Sequence, residues 1–122
     1  MVKVFVDIQT YDTRLDYELF PAREHRAGET QVQVGAQARI IWNGMSIYKG
    51  VDIPRVFNLI VEFADELGIA LLADYIVNKL KGKKRTKIIV RNRREIEIDT
   101  EELNGEQIVK ILTEIRKEEK ST

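Results

Sequence analysis

The sequence predicts one α+β domain, in which an N-terminal antiparallel β-meander is followed by two consecutive helices, a β-hairpin and a C-terminal helix. The chain has 122 residues, which suits one domain. Apolar and polar residues alternate over much of the first 50 residues and again near the end of the chain, as in half-buried strands. Elsewhere apolar residues recur at helical spacing. We therefore divide the chain into a β-rich part (1–50), two helices (53–81), a hairpin (86–99) and a helix (105–119).

The first strands are predicted from alternation. Val2, Val4, Val6 and Ile8 alternate with Lys3, Phe5, Asp7 and Gln9, which predicts a half-buried strand. Residues 15–19 alternate in the same way and predict a second strand, with 10–14 as the connecting loop. Residues 21–29 are polar and predict a longer loop.

The dipeptide Asn43-Gly44 predicts a β-hairpin turn. Asn and Gly both tolerate the positive φ that a type I′ turn requires. This turn would pair residues 40–42 with residues 45–47. A preceding strand is predicted around Val32 and Val34.

Two helices are predicted over 54–67 and 69–81. Pro54 suits a first helical turn, and the polar residues that follow it form one stripe at about 100° per residue. Beyond Gly68 the polar stripe is rotated, so one straight helix would bury charges or expose apolar residues. We therefore predict a break at Gly68, with a positive φ there.

A hairpin over Lys87–Asp99 is predicted together with its register. A three-residue loop, 92–94, places Val90 opposite Ile96 and directs both to the core. The same register pairs opposite charges, Arg91 with Glu95 and Lys87 with Asp99. A two-residue loop would place apolar residues opposite acids.

The final helix is predicted from its cap and its apolar stripe. Asn104 and Gln107 have the spacing of a capping box. Ile108, Ile111, Leu112 and Ile115 recur on one helical face.

Composition excludes several classes of protein. Lys plus Arg and Asp plus Glu both total 20, so the chain is not uniformly basic or acidic. It contains no Cys, hence no disulfide and no thiol nucleophile. No run approaches the roughly 20 apolar residues of a membrane span, and no secretory signal is visible, so we expect a cytoplasmic protein without membrane contact.

The strongest charge asymmetry is a basic segment without acids. Its eight cations are Lys81, Lys83, Lys84, Arg85, Lys87, Arg91, Arg93 and Arg94. One interpretation is a solvated linker and hairpin. The other interpretation is phosphate binding by the linker and the hairpin tip, whose long side chains can reach outward. Lys87 and Arg91 are less suited to this role, because acids opposite them on the hairpin compete for their charges. The predicted phosphate contacts are then Lys83, Lys84, Arg85, Arg93 and Arg94.

Other candidate sites are sparse. Glu62, Asp65 and Glu66 could share one helical face and hold a hard cation, or form a solvated stripe. His25 is the only histidine, and the sequence shows no partner for general-base chemistry. Trp42 and Tyr48 flank the predicted turn and could pack in the core or anchor a partner.

We therefore expect a small non-enzymatic interaction or assembly module, part of a larger complex or self-associating, that uses no cofactor. Short strands have edges, and edges can pair with other chains. The alternative is an accessory protein that binds nucleic acid through the basic segment.

Overall fold

A computed structural model of the protein describes residues 1–46 and 53–120. The strands are β1 (Val2–Thr10), β2 (Gln31–Gln33), β3 (Ala38–Ser46), β4 (Arg55–Phe63), β5 (Lys87–Asn92) and β6 (Arg94–Asp99). The helices are α1 (Leu15–Leu19), α2 (Glu66–Leu80) and α3 (Gly105–Lys120), and α3 follows a 3₁₀ turn at Thr100–Glu102. The predicted α+β class is confirmed.

Within these residues the strands form one six-stranded sheet in the order β2-β3-β4-β1-β5-β6. Every neighbouring pair is antiparallel. Because β4 and β5 both run antiparallel to β1, they are parallel to each other, and α2 forms the crossover between them. The meander is therefore β2-β3-β4, and β1 lies in the middle of the sheet.

The core lies between one face of the sheet and the three helices. Leu15 and Leu19 of α1, Ile69 and Leu72 of α2, and Leu112 of α3 belong to the same buried cluster as the sheet residues. Alternation on each strand directs the following residues into it: Val4, Val6, Ile8, Ile40, Trp42, Phe57, Leu59, Val61, Ile88, Val90 and Ile98.

The predicted second strand is wrong, because residues 15–19 form the single helical turn α1. Leu15 and Leu19 are buried one turn apart, while Tyr17 is exposed. In five residues, period-two alternation also contains an i, i+4 pair, so the pattern fits either structure.

The predicted hairpin turn at Asn43-Gly44 is also wrong. β3 continues through both residues, and the register with β4 shifts between Trp42 and Met45. Gly44 has a φ of +114° and lies in this bulge. Glycine thus supplies the positive φ predicted for it, but in a bulge rather than a turn. The predicted partner residue Ile47 lies outside the described residues.

The predicted helix over 54–67 is wrong, since residues 55–63 form the interior strand β4. The polar residues Arg55, Asn58 and Glu62 have helical spacing, but the core-facing residues between them alternate. The second predicted helix is confirmed as α2, although it begins at Glu66 rather than residue 69. Gly68 therefore lies inside the first turn of α2, and the predicted break with positive φ is wrong.

The C-terminal predictions are confirmed. β5 and β6 pair Lys87 with Asp99, Ile88 with Ile98, Val90 with Ile96 and Arg91 with Glu95, which is the predicted register. Val90 is buried and Ile96 packs against the core, whereas Arg91 and Glu95 are exposed. Asn104 and Gln107 form reciprocal backbone-to-side-chain hydrogen bonds of 3.1 and 3.0 Å at the start of α3.

Candidate functional site

The second face of the sheet has no helix packed on it within the described residues, and we call it the open face. It is made of the alternate residues that do not enter the core, and the strand registers place them in rows across the sheet. These residues are Lys3, Phe5, Asp7, Gln9, Gln31, Gln33, Arg39, Ile41, Ser46, Val56, Asn58, Ile60, Glu62, Lys87, Ile89, Arg91, Glu95, Glu97 and Asp99.

An apolar row crosses the middle of the open face. Ile41 pairs with Ile60, and Ile60 pairs with Phe5. Phe5 is 51% exposed, although it lies on a central strand. Ile89 and Ile53 line a concave part of the same face. Ile41 is buried at 7% exposure and Ile60 is half buried, so Phe5 is the exposed member of this row. A one-sided antiparallel sheet ordinarily presents polar residues to water, so an exposed aromatic side chain at its centre is unusual.

One end of the open face carries a network around Glu62. Glu62 is 3% exposed at its side chain, with Arg39 Nε 2.5 Å and Lys3 Nζ 3.4 Å from its carboxylate oxygens. Burial raises the pKa of Glu62, but hydrogen bonds and charges from Arg39 and Lys3 outweigh it and lower the pKa below its ordinary 4.5. The network leaves this end with one more cation than anions.

Acids predominate over cations from the Phe5 row, which contains Arg91 and Glu95, to the other end of the open face. Arg91 donates hydrogen bonds to Asp7 and to Glu95, and these contacts raise the pKa of Arg91. The predicted pair of Arg91 with Glu95 is therefore present, and Asp7 is added to it. Glu97 has no ion pair with the described residues, so acids outnumber cations around Arg91.

His25 lies in a buried aromatic cluster on the helix side of the sheet. Its Nε2 is 2.9 Å from the Phe20 carbonyl oxygen, and its Nδ1 is 3.6 Å from Asp16. The ring centroid is 4.7 Å from that of Tyr17 and 4.8 Å from that of Trp42. Sequence reasoning missed Asp16 as a partner, because it assigned Asp16 to a strand. The side chain of His25 is 7% exposed and that of Asp16 is 5% exposed.

Of the two aromatic residues predicted as partner contacts, Trp42 and Tyr48, the structure describes only Trp42. Trp42 is 4% exposed and stacks on Phe57 at 5.6 Å between ring centroids. Trp42 therefore packs in the core, as the first of the two interpretations expects, and little of its ring is accessible to a partner. Tyr48 lies outside the described residues.

The five predicted phosphate contacts fall into two groups. Lys83, Lys84 and Arg85 precede β5, whereas Arg93 and Arg94 form the tip after it. The six residues of β5 lie between the two groups and span about 20 Å, at about 3.4 Å per residue.

The cations before β5 differ in their contacts. Lys83 Nζ is 2.9 Å from Glu18 and 3.6 Å from Asp12. The hydrogen bond to Glu18 and the two acidic charges raise the pKa of Lys83, against the opposing effect of burial. The Arg85 guanidinium lies 3.8 Å from the centre of the Tyr11 ring. Lys84, Arg93 and Arg94 are exposed.

The predicted acidic stripe is not assembled. Glu62 lies in β4, the Asp65 carboxylate caps α2 by accepting a hydrogen bond of 2.9 Å from the Gly68 amide, and Glu66 is exposed in α2. Among residues 1–46 and 53–120, no three acidic or histidine side chains are grouped to hold a metal ion.

A second apolar surface lies on the helix side. Ala70, Val77 and Val109 line a groove between α2 and α3, and Leu67 at the start of α2 is 65% exposed. Charged side chains of both signs border the groove. This surface is the main competitor of the open face as a contact region.

The sequence signal for the open face is a run of consecutive apolar residues in each of four strands, which include Val4-Phe5-Val6 in β1 and Leu59-Ile60-Val61 in β4. Ile40-Ile41-Trp42 in β3 and Ile88-Ile89-Val90 in β5 must place apolar side chains on both faces of a sheet.

Comparison of the chain with protein-family models, curated proteins and solved structures finds no match. No helix in the described part of the chain has the length and apolar character needed to cross a membrane.

Proposed function

We propose that the protein is an interaction module that assembles with a second copy of itself through the open face. The observation that carries the proposal is the row Ile41–Ile60–Phe5, which lies across the helix-free side of the sheet with Phe5 half exposed. An apolar centre within a charged surround is the usual composition of a protein interface. Two antiparallel sheets also commonly pack face to face at about 10 Å.

The charges of the open face are complementary under a two-fold rotation. Phe5 lies midway between Lys3 and Asp7 on one face of β1. A two-fold axis between the sheets, directed across the strands at Phe5, reverses the strand direction. It brings Phe5 against Phe5 of the second copy and Lys3 over Asp7 of the second copy. The basic end of each face then meets the acidic end of the other.

Arg91 lies in the same row as Phe5, so this axis also brings the two Arg91 side chains towards each other. Each Arg91 is already paired with Asp7 and Glu95 of its own chain. The two neighbouring carboxylates offset the repulsion between the guanidinium groups.

The alternative function, nucleic-acid binding, has less support. Its cations lie at opposite ends of the β5–β6 hairpin, and Lys83 is held by two carboxylates. A phosphate would have to displace those carboxylates to bind Lys83.

Sedimentation over a range of concentrations tests the proposal with Phe5→Ser and a matched control. Tyr17 is 53% exposed against 51% for Phe5, but it lies on α1 on the other side of the sheet, so Tyr17→Ser removes a similar aromatic surface elsewhere. We expect the wild type and Tyr17→Ser to approach twice 14.2 kDa as concentration rises. We expect Phe5→Ser to raise the dimer dissociation constant by about tenfold or more, because a central apolar anchor is lost.

Monomers at every concentration for the wild type would overturn the proposal. Equal weakening by Tyr17→Ser would do so too, because it would place the contact on the helix side.

A further inference from the structure

The edge strand β6 offers a second and separate contact surface. It is the last strand of the sheet, paired only with β5 among the described residues. In an antiparallel pair every second residue turns its N–H and C=O away from its partner. β6 therefore presents unpaired backbone groups along six residues, against three in the opposite edge strand β2.

The side chains of β6 restrict what can pair with this edge. On the open face β6 presents only acids: Glu95, Glu97 and Asp99. On the other face it presents Arg94, which is exposed, Ile96, which is half buried, and Ile98, which is buried. A strand added here meets acidic and apolar positions in alternation.

A second copy of β6 does not fit this edge as an antiparallel strand. Antiparallel pairing of two β6 strands in a continuous sheet sets odd-numbered residues opposite odd-numbered ones, because both then lie on the same face. Every such register opposes acid to acid, which is destabilising. Charge thus disfavours antiparallel self-association at this edge.

The pairing between β5 and β6 shows which side chains fit opposite the acids of β6. On the open face β5 presents Lys87 and Arg91 opposite Asp99 and Glu95, with the Arg91 to Glu95 ion pair formed. Glu97 is opposite Ile89 and has no cation partner among the described residues. A strand with Lys or Arg at alternate positions, added at the free edge of β6, would supply a cation partner for Glu97.

We propose that β6 binds an extended basic segment of another protein, which adds to the sheet as a seventh strand. The ligand class is a strand that alternates Lys or Arg with apolar residues. Its cations lie beside Glu95, Glu97 and Asp99, and its apolar residues pack beside Ile96 on the helix side. This inference does not depend on the open-face dimer, because it uses a different surface.

The probe is a capped alternating Lys-Val peptide of about six residues, which is the usual length of a strand. Binding is measured by titration calorimetry, and the site is located by backbone amide shifts in NMR spectra. We expect the largest shifts at residues 95–99. Phe5→Ser is expected to bind the peptide as the wild type does, which separates failure of this inference from failure of the proposed dimer.

Two variants and two peptide derivatives distinguish strand addition from simple charge attraction. Glu97→Lys is expected to weaken binding by about tenfold or more, whereas Glu102→Lys, an equal charge change in the 3₁₀ turn outside β6, changes it far less. Peptides N-methylated on the amides of either the Lys or the Val residues keep their charge, and we expect one of the two to lose binding. Binding by both methylated peptides at the parent affinity would overturn the inference. So would equal effects of Glu97→Lys and Glu102→Lys, or no binding by the parent peptide.

Discussion

Gly68 sets the distance between α2 and the beginning of β3. A Cβ at this position would lie 2.8 Å from the Gln37 carbonyl oxygen, 3.3 Å from the Phe63 Cβ and 3.4 Å from the Ala38 Cβ. The first distance is too short for real side chains, and its partner is backbone. The Gln37 carbonyl also accepts a hydrogen bond of 3.0 Å from the Ala64 amide, so it is held in place.

We expect Gly68→Ala to lower the free energy of unfolding by about 1–3 kcal/mol, as overpacking does in other cores. The better helix propensity of Ala, worth about 1 kcal/mol, is not enough to offset a backbone clash. Urea unfolding measures this change. Gly105→Ala is the control, since a Cβ there meets nothing within 4 Å, and a loss of stability equal in both variants would contradict the packing role of Gly68.

The ionisation of Glu62 is tied to the fold. Its pKa is lower in the folded protein than its ordinary 4.5, because Arg39 and Lys3 outweigh burial. A group with a depressed pKa in the folded state stabilises above its unfolded pKa, and that stabilisation is lost as the pH falls through the folded value.

We expect Glu62→Gln to lower the free energy of unfolding at pH 7 by about 1–2 kcal/mol, through the loss of charge-assisted hydrogen bonds. The difference from the wild type should shrink as the pH falls below 4.5, because Glu62 then becomes protonated first in the unfolded chain and, at still lower pH, in the folded protein. Urea unfolding at neutral and acidic pH measures both effects. If the difference in the free energy of unfolding between Glu62→Gln and the wild type stayed constant with pH, the charge of Glu62 would not be what stabilises the folded protein.

Among the elements, those with local determinants could be predicted from the sequence. The β5–β6 register follows from the pairing of two apolar and two charged positions across one short loop. The start of α3 follows from side chains three residues apart. Both depend on contacts between residues close in the chain, so one sequence contains enough information to place them.

Elements determined by distant contacts were not predictable in this way. β4 is a strand because β1 and β3 pair with it on both sides, and the helical spacing of its polar residues had no influence on this. Gly44 occupies a bulge because β3 extends along β4 beyond Trp42. The open face shares this origin, since Phe5, Ile60 and Ile41 become neighbours only through two long-range registers.

The reciprocal cap of α3 gives a prediction at the scale of the element. Asn104→Ala removes the oxygen that accepts from the Gln107 amide, and we expect about 0.5–2 kcal/mol less stability. Glu114→Ala, an exposed position in the middle of α3, should change stability by less than about 0.5 kcal/mol. Thermal and urea unfolding compare the two, and an equal, small effect of both variants would show that the cap contributes nothing.

At the scale of the whole molecule, the sheet separates two environments. One face buries its alternate residues under α1, α2 and α3. The other has an apolar centre, a basic end at Lys3 and Arg39, and an acidic end at Asp7 and Glu97. The cations before β5 and at the tip of the β5–β6 hairpin lie outside this arrangement.

The most direct test of the open-face dimer is an isotope-filtered NMR experiment on a mixture of labelled and unlabelled chains, which detects only contacts between copies. The proposed two-fold axis predicts contacts from the Phe5 ring to Phe5 of the other copy, and from Lys3 to the Asp7 region of the other copy. Intermolecular contacts confined to Leu67 and Val109 would place the interface on the helix side and contradict the account, as would none at concentrations where sedimentation shows a dimer.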